Sequence, residues 1–376
     1  MSVDGFCFSP DPDAVQIYQR ILGMGEVFRF NEELKELIAG KFSVEPSSGP
    51  DDIAVFVDII IRSFGDRQVP AHFDLAQGSL RKLSKNWLTQ RSVSRDTVLL
   101  LGFGLGLSLD EAETLLTKGL GDTRLNPKDP FETLCWYCFK NGLEYHEFSR
   151  LRQAVKQSNA LGKDGFVPND STEKFRSLRD QITSEAELIE FIRTISVIHD
   201  WRAQSYSARK AFMQMYMACG AILAPDETRI SPDTDGDYAA RCAATVEKEL
   251  YSATPKDENY NLKPLKNTRL GRILNVPRLS RQRMRDILNL QTRINRADLL
   301  TLSFLLTSLT FVLSDGGSLK SGFIEHADAN LIRCGMCALD RRRPYDALLT
   351  LCTDTVDPLE TFNDVTDLAY KDMAVS

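Results

Sequence analysis

A cluster of arginine and glutamine side chains lies in the stretch SRQRMRDILN, between Ser280 and Asn289. Arginine can bond to two acceptors of guanine at once, and glutamine can do the same with adenine. Lysine and arginine around such a cluster can also contact phosphate groups. These residue types at this density therefore predict contacts with nucleic acid.

The charge of the surrounding segment fits the same chemistry. Between Lys263 and Arg296 the chain has ten Lys or Arg residues and one acid, Asp286. A second stretch, from Ser79 to Arg95, has five Lys or Arg residues and no acid. Because the whole chain has a net charge of −6, its positive charge is concentrated on an otherwise acidic molecule. Such an uneven distribution predicts a localised anion-binding face.

The run LLLGFGLGLS could instead be a nucleotide-binding loop. The glycines between Gly102 and Gly106 follow an apolar run, as glycines do in a dinucleotide-binding unit. Leu107, however, stands where the third glycine of that fingerprint would be. Ser108 and Glu111 have the spacing of a helix capping box. We interpret the run as part of two consecutive helices whose small residues allow close packing.

Two Cys-x-x-Cys pairs, Cys135/Cys138 and Cys334/Cys337, could together supply four thiolates to a zinc ion. The pairs are not equivalent in the internal repeat described below, where Cys138 aligns with Cys352 inside a helix. We therefore interpret the cysteines as small buried side chains and expect no metal and no cofactor. The sequence also has no P-loop and no nucleophile elbow, so we interpret the protein as non-enzymatic.

The chain contains an internal repeat. Residues 79–103 align without a gap with residues 280–304, and after an insertion residues 125–138 align with residues 339–352. The glycine positions of the first copy hold serine, leucine and threonine in the second, which a phosphate-binding loop would not tolerate. Two blocks in the same order indicate a duplication, and they favour helix packing as the role of the glycines.

Residues Leu270 to Phe304 resemble the helix-turn-helix of phage-repressor-like proteins of the Xre/Cro type. By this resemblance LGRILN would be the scaffold helix, VPRLS the turn, RQRMRDILN the recognition helix and ADLLTLSFLL the next helix. The first copy is similar mainly in its last part, from SRDTVLLL to LDEAETLL. The resemblance implies two repressor-like helix-turn-helix modules in one chain.

The resemblance also assigns roles to side chains. The recognition helix would enter the major groove, its first residues would meet base edges, and the flanking cations would contact phosphates. Met284, Ile287 and Leu288 would face the core. The first copy has fewer base-reading groups on the corresponding face. The candidate nucleic-acid contacts are Arg278, Arg281, Gln282, Arg283, Arg285, Arg293 and Arg296 in the second copy, and Arg81, Lys82 and Lys85 in the first.

Apolar residues at helical spacing dominate the chain, so we expect an all-α fold. The predicted units are an N-terminal helical segment (1–50), a first helix-turn-helix-like module with a helical extension (51–159), a central helical spacer (171–223) and a second module with its extension (238–376). Links at 42–50, 160–170 and 224–237 would separate them. The longest apolar stretch is shorter than the roughly 20 residues that a bilayer requires, so we expect a cytoplasmic protein without membrane contact.

Two functions follow from these observations. The first is a nucleic-acid-binding regulator of transcription that uses the basic recognition helix of the second repeat, with DNA favoured over RNA. The alternative is a non-enzymatic protein-interaction adaptor built on degenerate helix-turn-helix repeats. A charge of −20 outside the two basic stretches is compatible with the adaptor. A protein partner or self-association would fit either function.

Overall fold

The computed structural model describes residues 12–24, 29–44, 51–73, 79–157, 171–199, 202–225, 236–258, 262–311 and 318–375. Within these ranges the chain forms eighteen α-helices and one two-stranded antiparallel hairpin. The expectation of an all-α architecture is confirmed, with the hairpin as a small addition. The predicted link at 160–170, and most of those at 42–50 and 224–237, lie outside the described residues.

The described part of the first half of the chain folds into eight helices, several of which begin or end at residues typical of helix boundaries. Ser79 and Ser94 accept backbone N–H bonds as N-caps, and the capping box of Ser108 and Glu111 is formed. Gly142 adopts the left-handed conformation and ends the last helix of the repeat. The helices are α1 (Pro12–Gly23), α2 (Phe30–Phe42), α3 (Asp51–Asp66), α4 (Leu80–Trp87), α5 (Arg95–Leu105), α6 (Leu109–Thr114), α7 (Pro130–Asn141) and α8 (Tyr145–Gln157).

The described part of the second half adds ten helices and the hairpin. Strands β1 (Ser196–His199) and β2 (Arg202–Ser205) pair antiparallel between two of these helices. The helices are α9 (Thr172–Asp180), α10 (Glu185–Ile195), α11 (Tyr206–Leu223), α12 (Gly236–Leu250), α13 (Arg269–Leu274), α14 (Arg281–Leu288), α15 (Arg296–Phe311), α16 (Leu319–Arg333), α17 (Pro344–Cys352) and α18 (Pro358–Val375). The predicted scaffold and recognition helices correspond to α13 and α14, each within one residue at its ends.

The buried apolar residues form two cores, and these do not follow the predicted unit boundaries. Helices α2 to α8 and α10 supply the first core, whereas α1 and α11 to α18 supply the second. The predicted segment 1–50 is therefore divided between the cores, and so is the predicted spacer 171–223. For α1 the reason is its apolar stripe of Ala14, Ile17, Tyr18 and Ile21, which packs on α13, α17 and α18 of the second copy.

Each copy of the repeat contains an equivalent hydrogen-bond network centred on an arginine. In the first copy Arg95 bonds to a carboxylate of α7 and to two carbonyl oxygens of the loop before it. In the second copy Arg296 bonds to a carboxylate of α17 and to two carbonyl oxygens of the preceding loop. Such a network needs a specific geometry, so its recurrence supports the duplication. Glu132 and Asp346 are aligned, and the carbonyl partners correspond when the same block is extended by two residues towards the N-terminus: Thr123 and Arg124 in the first copy, Cys337 and Ala338 in the second.

The glycines of α5 allow close contact between helices. A Cβ atom on Gly104 would lie 1.8 Å from the ring of Phe64 on α3, and one on Gly102 would lie 2.5 Å from the ring of Phe139 on α7. Gly106 adopts the left-handed conformation that ends α5. The run that resembled a nucleotide loop is therefore a helix packed against two aromatic rings and followed by a second helix.

Candidate nucleic-acid interface

Helix α14 is a short amphipathic helix whose apolar side lies in the second core. Ser280 caps it by accepting the backbone N–H of Arg283. Met284 and Ile287 are fully buried, and Leu288 is half-buried. These are the three residues that the sequence predicted to face the core. The neighbour that α14 contacts most is α12, in the same way that α4 packs on α3 in the first copy.

The opposite side of α14 presents polar and cationic groups. Arg281, Gln282 and Arg285 are exposed. Gln282 donates from Nε2 to Asp286 Oδ1 at 2.8 Å, so part of its hydrogen-bonding capacity is used within the helix. In the part of the chain that the structure describes, no carboxylate forms an ion pair with Arg281 or Arg285. Both guanidinium groups are therefore open to an external anion.

An acidic side chain lies at the start of α14. The backbone N–H of Arg281 donates to Glu247 Oε1 at 2.6 Å, from helix α12. A carboxylate at a helix N-terminus stabilises the helix because it opposes the positive end of the helix dipole. The same negative charge would repel a phosphate group near Arg281.

Two of the candidate arginines bind buried carboxylates of their own copy. Arg283 donates from Nε and Nη2 to Asp298 at 2.6 and 2.7 Å, and Asp298 is fully buried. Burial raises the pKa of Asp298, and the bonds from Arg283 and the Asn295 N–H act in the opposite direction. Arg296 binds Asp346 in the network described above. Both guanidinium groups hold helices together.

Two further candidate arginines contact other parts of the fold. Arg278 donates to the hydroxyl of Tyr370 at 2.7 Å, and its guanidinium lies over the ring of Tyr251. Arg293 reaches the first copy, where it pairs with Asp96 and lies 4.0 Å above the ring centre of Phe131. Arg293, which was predicted to flank the recognition helix, thus joins the two copies.

In the first copy, α4 has the same placement as α14 but a different set of groups. Ser84 and Trp87 are buried, and Arg81, Lys82 and Lys85 are exposed. Arg81 forms an exposed ion pair with Asp58 of α3 at 2.8 Å. This face therefore offers two lysines and one arginine that is already paired.

Four exposed cations near α13 were not predicted as contacts from the sequence. Lys263, Lys266, Arg269 and Arg272 are exposed, and no ion pair between described residues engages them. They belong to the basic stretch that ends at Arg296, and this stretch was the signal by which the sequence could have identified them. The residue types alone could not separate them from the arginines of the same stretch that bind internal partners.

The two copies meet through equivalent loops. Asn126 donates to the carbonyl of Cys334, and Lys128 donates to the carbonyl of Arg333, each at 2.9 Å. In the other direction, Arg343 donates to the carbonyl of Gly121 at 2.7 Å. Arg343 aligns with Asp129, and Gly121 corresponds to Gly335 when the second aligned block is extended by four residues towards the N-terminus, so the same part of each copy contacts the other. This is the reciprocal pattern of a twofold interface, here within one chain.

The cysteines of the two Cys-x-x-Cys motifs lie in different surroundings. Cys135 and Cys138 are buried within α7 in the first core, and Cys334 is buried at the end of α16. Burial raises the pKa of Cys138 and of Cys334 to about 12, so these thiols are protonated at neutral pH. Cys337 is half-buried, and its Sγ lies 3.5 Å from Asp122.

In the described ranges, no helix combines the length and the apolar composition needed to cross a lipid bilayer. Comparisons of the chain with protein-family models, with curated proteins and with solved structures find no match.

Proposed function

We propose that this protein binds nucleic acid through the exposed face of α14. The proposal rests on two exposed arginines, Arg281 and Arg285, which pair with no carboxylate of the described ranges and lie on a short helix whose other side is anchored in the core. An anchored helix holds its exposed groups in fixed positions, which recognition of base edges requires. The exposed cations Lys263, Arg269 and Arg272 supply further positive charge for phosphates.

Duplex DNA is the favoured ligand, and the protein would act as a regulator of transcription. The major groove of B-form DNA is wide enough to admit an α-helix, whereas that of an A-form RNA helix is too narrow. Helix α14 is eight residues long, and its exposed groups lie within the first five. Groove entry by the N-terminal part of the helix would bring these groups to the base edges.

The test is a comparison of two matched double variants. Replacing Arg281 and Arg285 with Ala should weaken binding to a selected duplex by about 1–3 kcal/mol for each base-reading side chain that is removed. Replacing Arg81 and Lys82 with Ala on α4 should cost less. Affinities are measured by fluorescence anisotropy over a salt series, because phosphate contacts make binding weaken steeply as salt rises.

Thermal melts of the same proteins control for folding. Exposed substitutions should shift stability by about 0.5 kcal/mol or less. Unchanged affinity of the α14 variant, with unchanged melting, would contradict the proposal. Binding that does not depend on salt would contradict it as well.

The second candidate function is a protein-interaction adaptor, and Glu247 is the observation that favours it. Its carboxylate lies at the end of α14 that would enter the groove. If α14 binds DNA, Glu247→Gln should tighten binding several-fold, because a repulsive charge is removed. Glu360→Gln, an exposed site on α18, is the control for net charge. No DNA affinity in any of these proteins would favour the adaptor.

A further inference from the structure

A cleft of about 1000 Å³ lies between the two copies of the repeat. It is lined by the loops that follow α4 and α14 and by the first turns of α5, α7, α15 and α17. Its volume is at the upper end of the range for small-molecule sites, about 300–1000 Å³. Such sites are common where two structural units meet, as they do here.

One wall of the cleft is apolar. Ile273, Leu274 and Val276 form it at the end of α13, and Met336 of the second copy adds a flexible side chain. Val155 of α8 lines the cleft from the first copy. A wall of this kind favours a ligand with an apolar body, because burying apolar surface releases about 25 cal/mol for each Å².

The charged groups of the cleft leave a positive surplus. Among the described residues, seven Lys or Arg residues and five Asp or Glu residues line it, and one of the seven, Arg283, is neutralised by the buried Asp298. Every one of the five carboxylates already forms an ion pair with an arginine, as Asp96 and Asp129 do with Arg293, Asp122 and Glu132 with Arg95, and Asp346 with Arg296.

Lys266 is an exposed cation of this surplus. It lies in the single 3₁₀ turn before α13, is exposed, and lines the cleft. No carboxylate of the described ranges forms an ion pair with it. A cation without a partner, beside an apolar wall, is complementary to an anionic group on an apolar body.

We propose that the cleft binds a small organic anion, a carboxylate or sulfonate attached to an apolar body. The apolar wall buries the body, and Lys266 attracts the anionic group. Because the loops after both α4 and α14 line the cleft, the ligand contacts both copies at once. The site is separate from the exposed face of α14, so this proposal does not depend on nucleic-acid binding.

The test uses two fluorescent probes of nearly equal shape, 8-anilinonaphthalene-1-sulfonate and the uncharged N-phenyl-1-naphthylamine. The sulfonate should saturate one site per chain and bind more tightly than the neutral probe. Lys266→Glu should weaken sulfonate binding about tenfold, since an attraction is replaced by a repulsion, and should leave the neutral probe unaffected. Lys82→Glu, an exposed site on α4 outside the cleft, should change neither.

A second variant, Val276→Trp, fills the apolar wall and should abolish binding of both probes without lowering the melting temperature. If Val276→Trp does not fold, the Lys266→Glu comparison decides alone. Equal affinity for the two probes, several weak sites per chain, or no effect of Lys266→Glu would overturn the proposal. Absence of DNA binding, or unchanged DNA affinity of the α14 variant, would contradict the proposed function and leave this proposal standing, so the two failures are distinguishable.

Discussion

Two arginines separated by one residue on α14 have opposite environments. Arg283 binds the fully buried Asp298, whereas Arg285 is exposed without a described carboxylate partner. Arg283→Ala would leave a buried carboxylate without its cation, so we expect a loss of about 3 kcal/mol in the free energy of unfolding. Arg285→Ala should change it by less than about 0.5 kcal/mol. Urea unfolding of both variants checks this, and equal losses would contradict the structural role of Arg283.

At the scale of elements, the contact between α3 and α5 depends on the lack of a side chain at Gly104. Gly104→Ala would place a Cβ atom 1.8 Å from the ring of Phe64, so we expect a loss of about 3 kcal/mol as the helices move apart. Gly40→Ala, in an α2 position with open space around it, is the matched control. It should stabilise the protein by about 0.5 kcal/mol through helix propensity. Thermal and urea unfolding measure both, and a neutral Gly104→Ala would show that the contact is not tight.

At the scale of the whole molecule, Asp122 links the two copies of the repeat. It pairs with Arg95 of its own copy and with Arg343 of the other. Burial raises the pKa of Asp122, but Arg95, Arg343, the backbone N–H of Thr123 and the charge of Arg296 together hold the pKa well below its usual range. A carboxyl group with a lowered pKa stabilises the fold above its unfolded pKa of about 4, and this contribution is lost as the pH falls below that value.

Asp122→Asn should therefore cost about 2 kcal/mol at pH 7 and progressively less below about pH 4. The measurement is the free energy of unfolding of wild type and variant between pH 7 and pH 2.5. Asp58→Asn, which alters only an exposed ion pair, should cost less than about 1 kcal/mol. A cost for Asp122→Asn that stays constant over this pH range would contradict the lowered pKa.

The sequence by itself determined the features that depend on near neighbours. The capping box of Ser108 and Glu111 and the buried side of α14 follow from residues within one or two turns. Spacing along the chain also revealed the duplication. The DNA-reading role of α14 came from residue types and a family resemblance, and it stays a prediction.

Only the tertiary structure decided which arginines are free. Arg293 and its partner Asp96 are 197 positions apart, and Arg343 and Gly121 are 222 apart, so no local pattern could pair them. Helix α1 is a similar case, because its apolar stripe indicates a helix but does not indicate the distant core that the helix joins. A basic run has one composition whether its guanidinium groups bind internal carboxylates or face solvent. Folding separates the arginines that bind internal carboxylates from those that face solvent, because a buried ionised carboxylate needs a cation beside it.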